Sequence, residues 1–170
     1  MADKDKDKKK LNTKDLVKKI EKITREKITQ AEVVSLDEYR SLVTKTDKFT
    51  ILVIEDDETM RVALKRIFER DGYKVICAAD GTQLSTVLDE TMADLIIMDI
   101  GLPWINGYEL AKLLKEHEEL RKIPLVFVSG KTSELDVKRG FDVGADDYIK
   151  KPFDVEVIRK TVRTLLKISK

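Results

Sequence analysis

Residues 50–57 read Thr-Ile-Leu-Val-Ile-Glu-Asp-Asp, an apolar run that ends on three acidic side chains. The same arrangement recurs downstream, because Asp99, Ser129 and Lys151 each stand just past a later apolar run. Short runs rich in β-branched residues are typical of strands that are buried on both faces of a parallel sheet. Since the carboxyl ends of parallel strands meet in one crevice, we expect these polar residues to share one site.

Strand-like and helix-like segments alternate regularly through the rest of the chain. The pattern predicts strands at 49–54, 73–79, 95–98, 125–128 and 147–149, and helices at 59–70, 82–90, 107–120, 133–142 and 154–168. The helix segments carry apolar residues at helical spacing, and the last one begins after an Asp cap. Five β/α units with right-handed crossovers predict an α/β fold: a five-stranded, parallel, doubly wound sheet with helices on both faces.

The residue types at the strand ends indicate phosphoryl chemistry. Glu55, Asp56 and Asp99 would repel one another in a small site unless a divalent cation lay between them. Mg²⁺ takes oxygen ligands from few side chains, which suits this set. The Ser129 hydroxyl and the Lys151 ammonium are suited to bind a phosphoryl group.

Composition predicts a protein with one compact hydrophobic core, and the sequence predicts a cytoplasmic location. The 170 residues are 42% hydrophobic and carry a formal net charge of +1, which gives no bias toward nucleic acid or membrane. Cys77 is the only cysteine, so the chain has no intrachain disulfide and no cysteine cluster for zinc. No apolar stretch approaches the length of a membrane span, and the N-terminus is charged where a signal peptide needs apolar residues.

Five motifs, in order, carry a resemblance to a known family. They are Ile-Glu-Asp-Asp at 54–57, Met-Asp-Ile-Gly-Leu-Pro-Trp-Ile-Asn-Gly-Tyr-Glu-Leu at 98–110, Val-Ser-Gly at 128–130, Gly-Ala-Asp-Asp-Tyr at 144–148 and Lys-Lys-Pro-Phe at 150–153. The region 50–168 resembles the receiver domain of two-component response regulators, and among them the stand-alone chemotaxis regulators. The resemblance implies a flavodoxin-like sheet of order 2-1-3-4-5.

The resemblance also implies a mechanism. Asp99 would accept a phosphoryl group from a sensor histidine kinase or a phosphotransfer protein. Mg²⁺, or Mn²⁺ in its place, would be held by Glu55, Asp56, Asp99 and the backbone carbonyl of Gly101. Ser129 and Lys151 would bind the phosphoryl group, Tyr148 would turn inward as part of the switch, and Pro152 would follow a cis peptide bond.

The N-terminal residues lie outside the resemblance. We expect a disordered charged tail at 1–12, a helical extension at 13–48 and the receiver domain at 49–170. Apolar stripes in the extension, which include Leu16, Val17 and Ile20, are expected to pack on the receiver or to pair two chains into a homodimer. DNA binding is not expected, because residues 1–48 carry 10 acidic side chains against 14 basic ones.

The functional hypothesis is a phosphorylation-dependent signalling switch rather than an enzyme, with at most slow phosphorylation from small donors and slow self-dephosphorylation. Because the chain stops at Lys170, we expect output through a changed protein-binding surface, toward an unknown downstream protein. Two alternatives stay open: a haloacid-dehalogenase-like phosphatase, which would need a second Asp where Gly101 stands, and a receiver-like docking module that does not switch. His117 weakly resembles a kinase phosphoacceptor, but we expect it to be an exposed residue at a helix end.

Overall fold

A computed structural model of the chain describes residues 16–18, 20, 22 and 48–168. Five parallel strands form one sheet in the order β2-β1-β3-β4-β5, so the predicted doubly wound sheet is confirmed. The strands are β1 (Thr50–Ile54), β2 (Lys74–Ala78), β3 (Leu95–Met98), β4 (Leu125–Ser129) and β5 (Asp147–Lys150). The helices are α1 (Glu58–Arg70), α2 (Gly81–Glu90), α3 (Gly107–Glu116), α4 (Glu134–Asp142) and α5 (Val155–Ile168), with one 3-10 turn at Leu120–Lys122.

The sheet separates two layers of buried apolar side chains. Because strand side chains alternate between faces, Leu52 and Ile54 of β1 belong to one layer, and Ile51 and Val53 belong to the other. Helices α2 and α3 cover the first layer, whereas α1 and α5 cover the second. Every residue of β1, β3 and β4 is buried, as expected for parallel strands covered on both sides.

Side-chain caps fix where four of the helices begin. Asp57, Asp80 and Asn106 accept hydrogen bonds from backbone N–H groups in the first turns of α1, α2 and α3. Ser133 begins α4 and forms a reciprocal capping box with Asp136. Each cap lies in the loop that follows a strand, so the caps also shape the loops at the carboxyl edge of the sheet.

The structure corrects the predicted end of α3. The sequence pattern predicted a helix through residue 120, but α3 ends at Glu116, and the extended backbone of His117 (ψ 130°) breaks it. Leu120 is buried from the 3-10 turn instead, which explains why the apolar pattern continued.

The described part of the N-terminal region is helical and contacts the folded domain. This N-terminal segment, residues 16–18, 20 and 22, places Leu16 and Ile20 in the apolar layer covered by α2 and α3. The predictions for residues 1–12, and for the rest of 13–47, lie outside the described residues. Within the part of the chain that the structure describes, no helix has the length and apolar character needed to cross a bilayer.

Gly107, the first residue of α3, lies against the backbone of the loop that follows β3. A Cβ atom at this position would lie 2.5 Å from the Cα of Ile100. We predict that Gly107→Ala lowers the free energy of unfolding by about 1–3 kcal/mol, because the added methyl group forces the two backbones apart. Urea denaturation measures the loss.

Gly130→Ala is the matched control for Gly107→Ala. No heavy atom lies within 4 Å of a Cβ built at Gly130. This variant should change the free energy of unfolding by about 0.5 kcal/mol or less. Equal losses in the two variants would contradict the steric explanation.

Candidate functional site

Backbone hydrogen bonds extend the sheet one residue past its strands and so position the site. The Asp99 N–H donates to the Ile54 carbonyl at 3.0 Å, and the Lys151 N–H donates to the Ser129 carbonyl at 2.8 Å. The first bond holds the residue after β3 in register with β1, and the second holds a residue beyond β5 against β4. The side chains at this edge are therefore positioned by the sheet rather than by free loops.

Three carboxylates lie together at this edge. One carboxylate oxygen from each of Glu55, Asp56 and Asp99 lies within 4.8 Å of the other two. Glu55 is only 2% exposed, Asp99 is largely buried and Asp56 is exposed, so the cluster opens to solvent on one side. A compact set of oxygen donors with solvent access is what Mg²⁺ requires, because this ion keeps several of its waters.

Lys151 is the basic partner of this cluster. Its Nζ lies 2.8 Å from Glu55 Oε2 and 3.8 Å from Asp99 Oδ2. The other oxygen of each carboxylate accepts a backbone hydrogen bond: Glu55 Oε1 from the Asp57 N–H at 3.1 Å, and Asp99 Oδ1 from the Ile100 N–H at 2.8 Å. Both carboxylates are therefore held in fixed orientations.

The charges of the cluster do not balance. Burial raises the pKa of the Glu55 carboxyl above its usual value, while the hydrogen bond and the charge of Lys151 act in the opposite direction. The nearby negative charge of Asp99 adds to the rise in the pKa of Glu55. Since three acidic groups face the Lys151 ammonium, the ionised cluster keeps an excess of negative charge that a divalent cation would offset.

Ser129 and Gly101 lie at the same edge. Ser129 is 1% exposed, and its Oγ accepts a hydrogen bond from the Lys131 N–H at 3.2 Å. Gly101 is exposed, and a Cβ there would lie 3.5 Å from Asp99 Oδ2. The missing side chain therefore leaves that carboxylate oxygen open to approach.

The Lys151–Pro152 peptide bond is cis.

Arg61 is a supporting residue that the sequence did not reveal. Its Nη1 donates to the backbone carbonyls of Glu55 and Asp56, each at 3.0 Å. The guanidinium thus fixes the acidic loop from α1. Charged residues are frequent along α1, and no motif distinguishes this one from the others.

Tyr148 is half-buried, and its ring packs against the apolar layer under α2 and α3. Its centroid lies 5.9 Å from that of Phe127, and its hydroxyl donates to the Lys131 carbonyl at 2.6 Å. Gly140 of α4 leaves the space for the ring, because a Cβ there would lie 2.7 Å from Tyr148 Cδ2. Burial raises the pKa of the Tyr148 phenol, so the hydroxyl remains protonated and able to donate.

Tyr108 connects α3 to α4, a role that sequence analysis missed. Its hydroxyl donates to the Asp136 carbonyl at 3.1 Å, and the Arg139 guanidinium lies 4.5 Å from its ring centroid. The ring also packs edge-on against Phe127. No local pattern in the sequence indicates this role, because the Asp136 partner lies about thirty residues away in the chain.

A family model described as the response regulator receiver domain matches residues 51–163. The aerobic respiration control protein ArcA of Escherichia coli is 42% identical over 116 residues, which make up 68% of this chain and 48% of that protein. The alkaline phosphatase synthesis transcriptional regulatory protein PhoP of Bacillus subtilis is 34% identical over 119 residues, or 70% and 49% of the two chains. The chain therefore spans about half the length of these curated relatives.

Solved structures agree with the sequence matches. A chemotaxis response regulator of Vibrio cholerae superposes with a TM-score of 0.64 at 26% identity, covering 69% of this chain and 98% of that one. The signal receiver domain of a histidine kinase from Syntrophus aciditrophicus gives a TM-score of 0.65 at 36% identity, covering 70% of this chain and 90% of that one. Both superpositions leave about three tenths of this chain without a counterpart.

The space above Gly140 yields a prediction about the Tyr148 ring. Gly140→Ala should displace the ring outward and lower the free energy of unfolding by about 1–3 kcal/mol, because the new methyl group overlaps the ring. NMR of the aromatic protons measures the displacement as a loss of nuclear Overhauser effects between Tyr148 and Phe127.

The control is Gly140→Ala in a variant that lacks the Tyr148 ring. In a Tyr148→Ala background, Gly140→Ala should lower the free energy of unfolding much less, because the overlap with the ring is removed and only the 3.2 Å approach to Phe127 Cδ2 remains. A loss of the same size in both backgrounds would show that Gly140 does not act through Tyr148.

Proposed function

The chain belongs to the response regulator receiver family, and on that premise we propose that it is a phosphorylation-dependent switch of a two-component phosphorelay. The observation that carries the proposal is the gathering of Glu55, Asp56, Asp99 and Lys151 in one cluster at the edge of the sheet. Family membership makes the chain a signalling protein rather than a classical enzyme. Slow phosphorylation by small donors and slow self-dephosphorylation are part of the proposal.

Asp99 is the proposed phosphoacceptor. One of its carboxylate oxygens attacks the phosphorus of a phosphohistidine on a sensor kinase or phosphotransfer protein, so that a P–O bond forms and the P–N bond breaks. The imidazole nitrogen keeps the electron pair and takes up a proton. Lys151, whose Nζ lies 3.8 Å from Asp99 Oδ2, is placed to pair with an oxygen of the acyl phosphate product.

Glu55, Asp56, Asp99 and the Gly101 carbonyl are the proposed ligands of Mg²⁺, or of Mn²⁺. When bound, the ion would neutralise charge on the transferred phosphoryl group. The oxygen chemistry of these groups supports this assignment, as does the position of one oxygen from each carboxylate within 4.8 Å of the other two. Glu55 already accepts a bond from Lys151, so it contributes either directly or through a water molecule.

The switch is proposed to run through Lys131, whose two backbone groups bind the two switch residues. Its N–H donates to Ser129 Oγ, and its carbonyl accepts from the Tyr148 hydroxyl. A phosphoryl group on Asp99 would attract the Ser129 hydroxyl and draw the loop between β4 and α4 inward. Both bonds of Lys131 would then change, and the surface formed by α4, β5 and α5 would differ for a downstream protein.

We predict that Asp99 alone accepts phosphate. Incubation with acetyl phosphate should add one phosphoryl group by intact-mass measurement, only when Mg²⁺ is present, and Asp99→Asn should abolish the addition. Asp56→Asn should also prevent it, because the remaining carboxylates bind the ion poorly.

Asp57→Asn is the matched control, since Asp57 caps α1 and asparagine caps a helix equally well. This variant should be phosphorylated like the parent. Label that persists in Asp99→Asn, or that appears on His117, would overturn the assignment of the phosphoacceptor. Continuous release of phosphate without a stable phosphoprotein would indicate a phosphatase instead.

Lys151 and Ser129 should couple phosphorylation to the change in shape. Lys151→Ala should suppress most of the phosphorylation-induced amide NMR shifts in α4 and β5, and Ser129→Ala should reduce them less, because a neutral hydrogen bond is weaker than a charge-assisted one. Lys150→Ala, at the exposed neighbouring position, should show the same phosphorylation-induced amide shifts as the parent. Full responses in the Lys151 and Ser129 variants would contradict the proposed coupling.

A further inference from the structure

The receiver carries an apolar groove between α2 and α3. Residues of α2, β3 and α3 and of the loops that follow the two helices contribute to it, and the groove is defined here by Leu88, Met92, Ile96, Leu113, His117 and Leu120. His117 is half-buried in this groove rather than exposed, contrary to the sequence-based expectation. Met92 is 51% exposed even with the N-terminal segment in place, so it forms an open rim of the groove.

The N-terminal segment lies in this groove. Leu16 and Ile20 are one helical turn apart and are only 2% and 5% exposed, whereas Lys18 and Lys22 are exposed. Ile20 lines a hollow together with Leu88, Leu120 and neighbouring residues, and Val17 borders a second hollow beside Leu113. The segment therefore presents one apolar side to the groove and one basic side to solvent, as an amphipathic helix does.

The segment is an addition to the receiver. The family model begins at residue 51, and the two solved receivers described above are covered to 98% and 90% while using only about seven tenths of this chain. A complete receiver therefore does not need this segment. The buried positions of Leu16 and Ile20 show that its apolar side nevertheless matches a surface of the domain.

The groove lies away from the phosphoacceptor. Thr91, Ala93 and Ile123 line its floor just before the first residues of β3 and β4, which is the amino-terminal edge of the sheet. The acidic cluster lies at the opposite, carboxyl edge. An occupant of the groove therefore leaves both the cluster and the surface of α4, β5 and α5 accessible.

The chain connecting the segment to the receiver is long enough for docking within one molecule. Residues 23–47 join the two, and an extended chain spans up to about 3.3–3.6 Å per residue. A tether of this length keeps the segment at a high local concentration near its own receiver, which favours the intramolecular contact over an intermolecular one.

We infer that the α2–α3 groove is a helix-docking surface whose occupant is this chain's own N-terminal segment. The segment covers an apolar surface that a receiver without it would offer to another protein. Partners are thereby directed to the remaining faces of the domain. The inference does not depend on phosphorylation, so it can fail or hold independently of the proposed switch.

Isotope-filtered NMR tests which molecule supplies the occupant. In the full-length chain with labelled methyl groups, nuclear Overhauser effects should join Ile20 to Leu88 and Leu120, with which it lines one hollow. In a mixture of labelled and unlabelled chains, no such effects should cross between chains. Effects that cross between chains would show a second copy in the groove and overturn the inference, as would the absence of any contact.

Matched serine variants test whether Leu16 and Ile20 shield the groove from water. Leu16→Ser and Ile20→Ser should each speed amide hydrogen exchange severalfold at residues 91–93 and 120–123, because the groove becomes open to water. Lys18→Ser, with the same new side chain on the exposed side, should exchange like the parent. Unchanged exchange in the Leu16 and Ile20 variants, or an equal increase in Lys18→Ser, would overturn the inference.

Discussion

Mutual repulsion among the carboxylates at the edge of the sheet, which the Lys151 ammonium offsets only in part, is the constraint on which the site depends. β5 lies three strand positions from β1, a distance of roughly 14 Å at the usual strand spacing. A lysine side chain cannot extend so far, so the chain after β5 has to turn back over the end of β4 to bring Lys151 to Glu55. The bond from the Lys151 N–H to the Ser129 carbonyl holds it there. Strand order, edge loops and charge balance are thus parts of one arrangement.

The loop between β4 and α4 is held from both sides by hydroxyl groups. Ser129 and Tyr148 bind the two backbone groups of Lys131, and Tyr108 binds the Asp136 carbonyl in the first turn of α4. These are neutral hydrogen bonds, each weaker than a bond to a charged group. In the proposed switch, a phosphoryl group on Asp99 competes with these bonds, and a local electrostatic change becomes a movement of a whole helix.

Sequence patterns were sufficient for the sheet and for the predicted cluster, because both depend on residues just past apolar runs. Local signals also located most helix starts, since caps such as Asp57 and Ser133 act within one turn. The predicted end of α3 was wrong because Leu120 continues the apolar periodicity although it belongs to a 3-10 turn rather than to the helix. The roles of Arg61 and Tyr108 were missed because both side chains bind backbone carbonyls. Every residue has a backbone carbonyl, so the sequence does not indicate which carbonyl the fold will bring near a given donor.

The separation of the apolar side chains into two layers affects how such a sequence can diverge over evolutionary time. Side chains in the layer under α1 and α5 make few direct contacts with side chains in the layer under α2 and α3, because the sheet lies between the two layers. Effects of distant substitutions on stability are close to additive. One face of the protein can therefore drift, or acquire a new covering helix, while the other face keeps its packing. Lineages with the same acidic cluster can in this way differ in the segments attached to their surfaces.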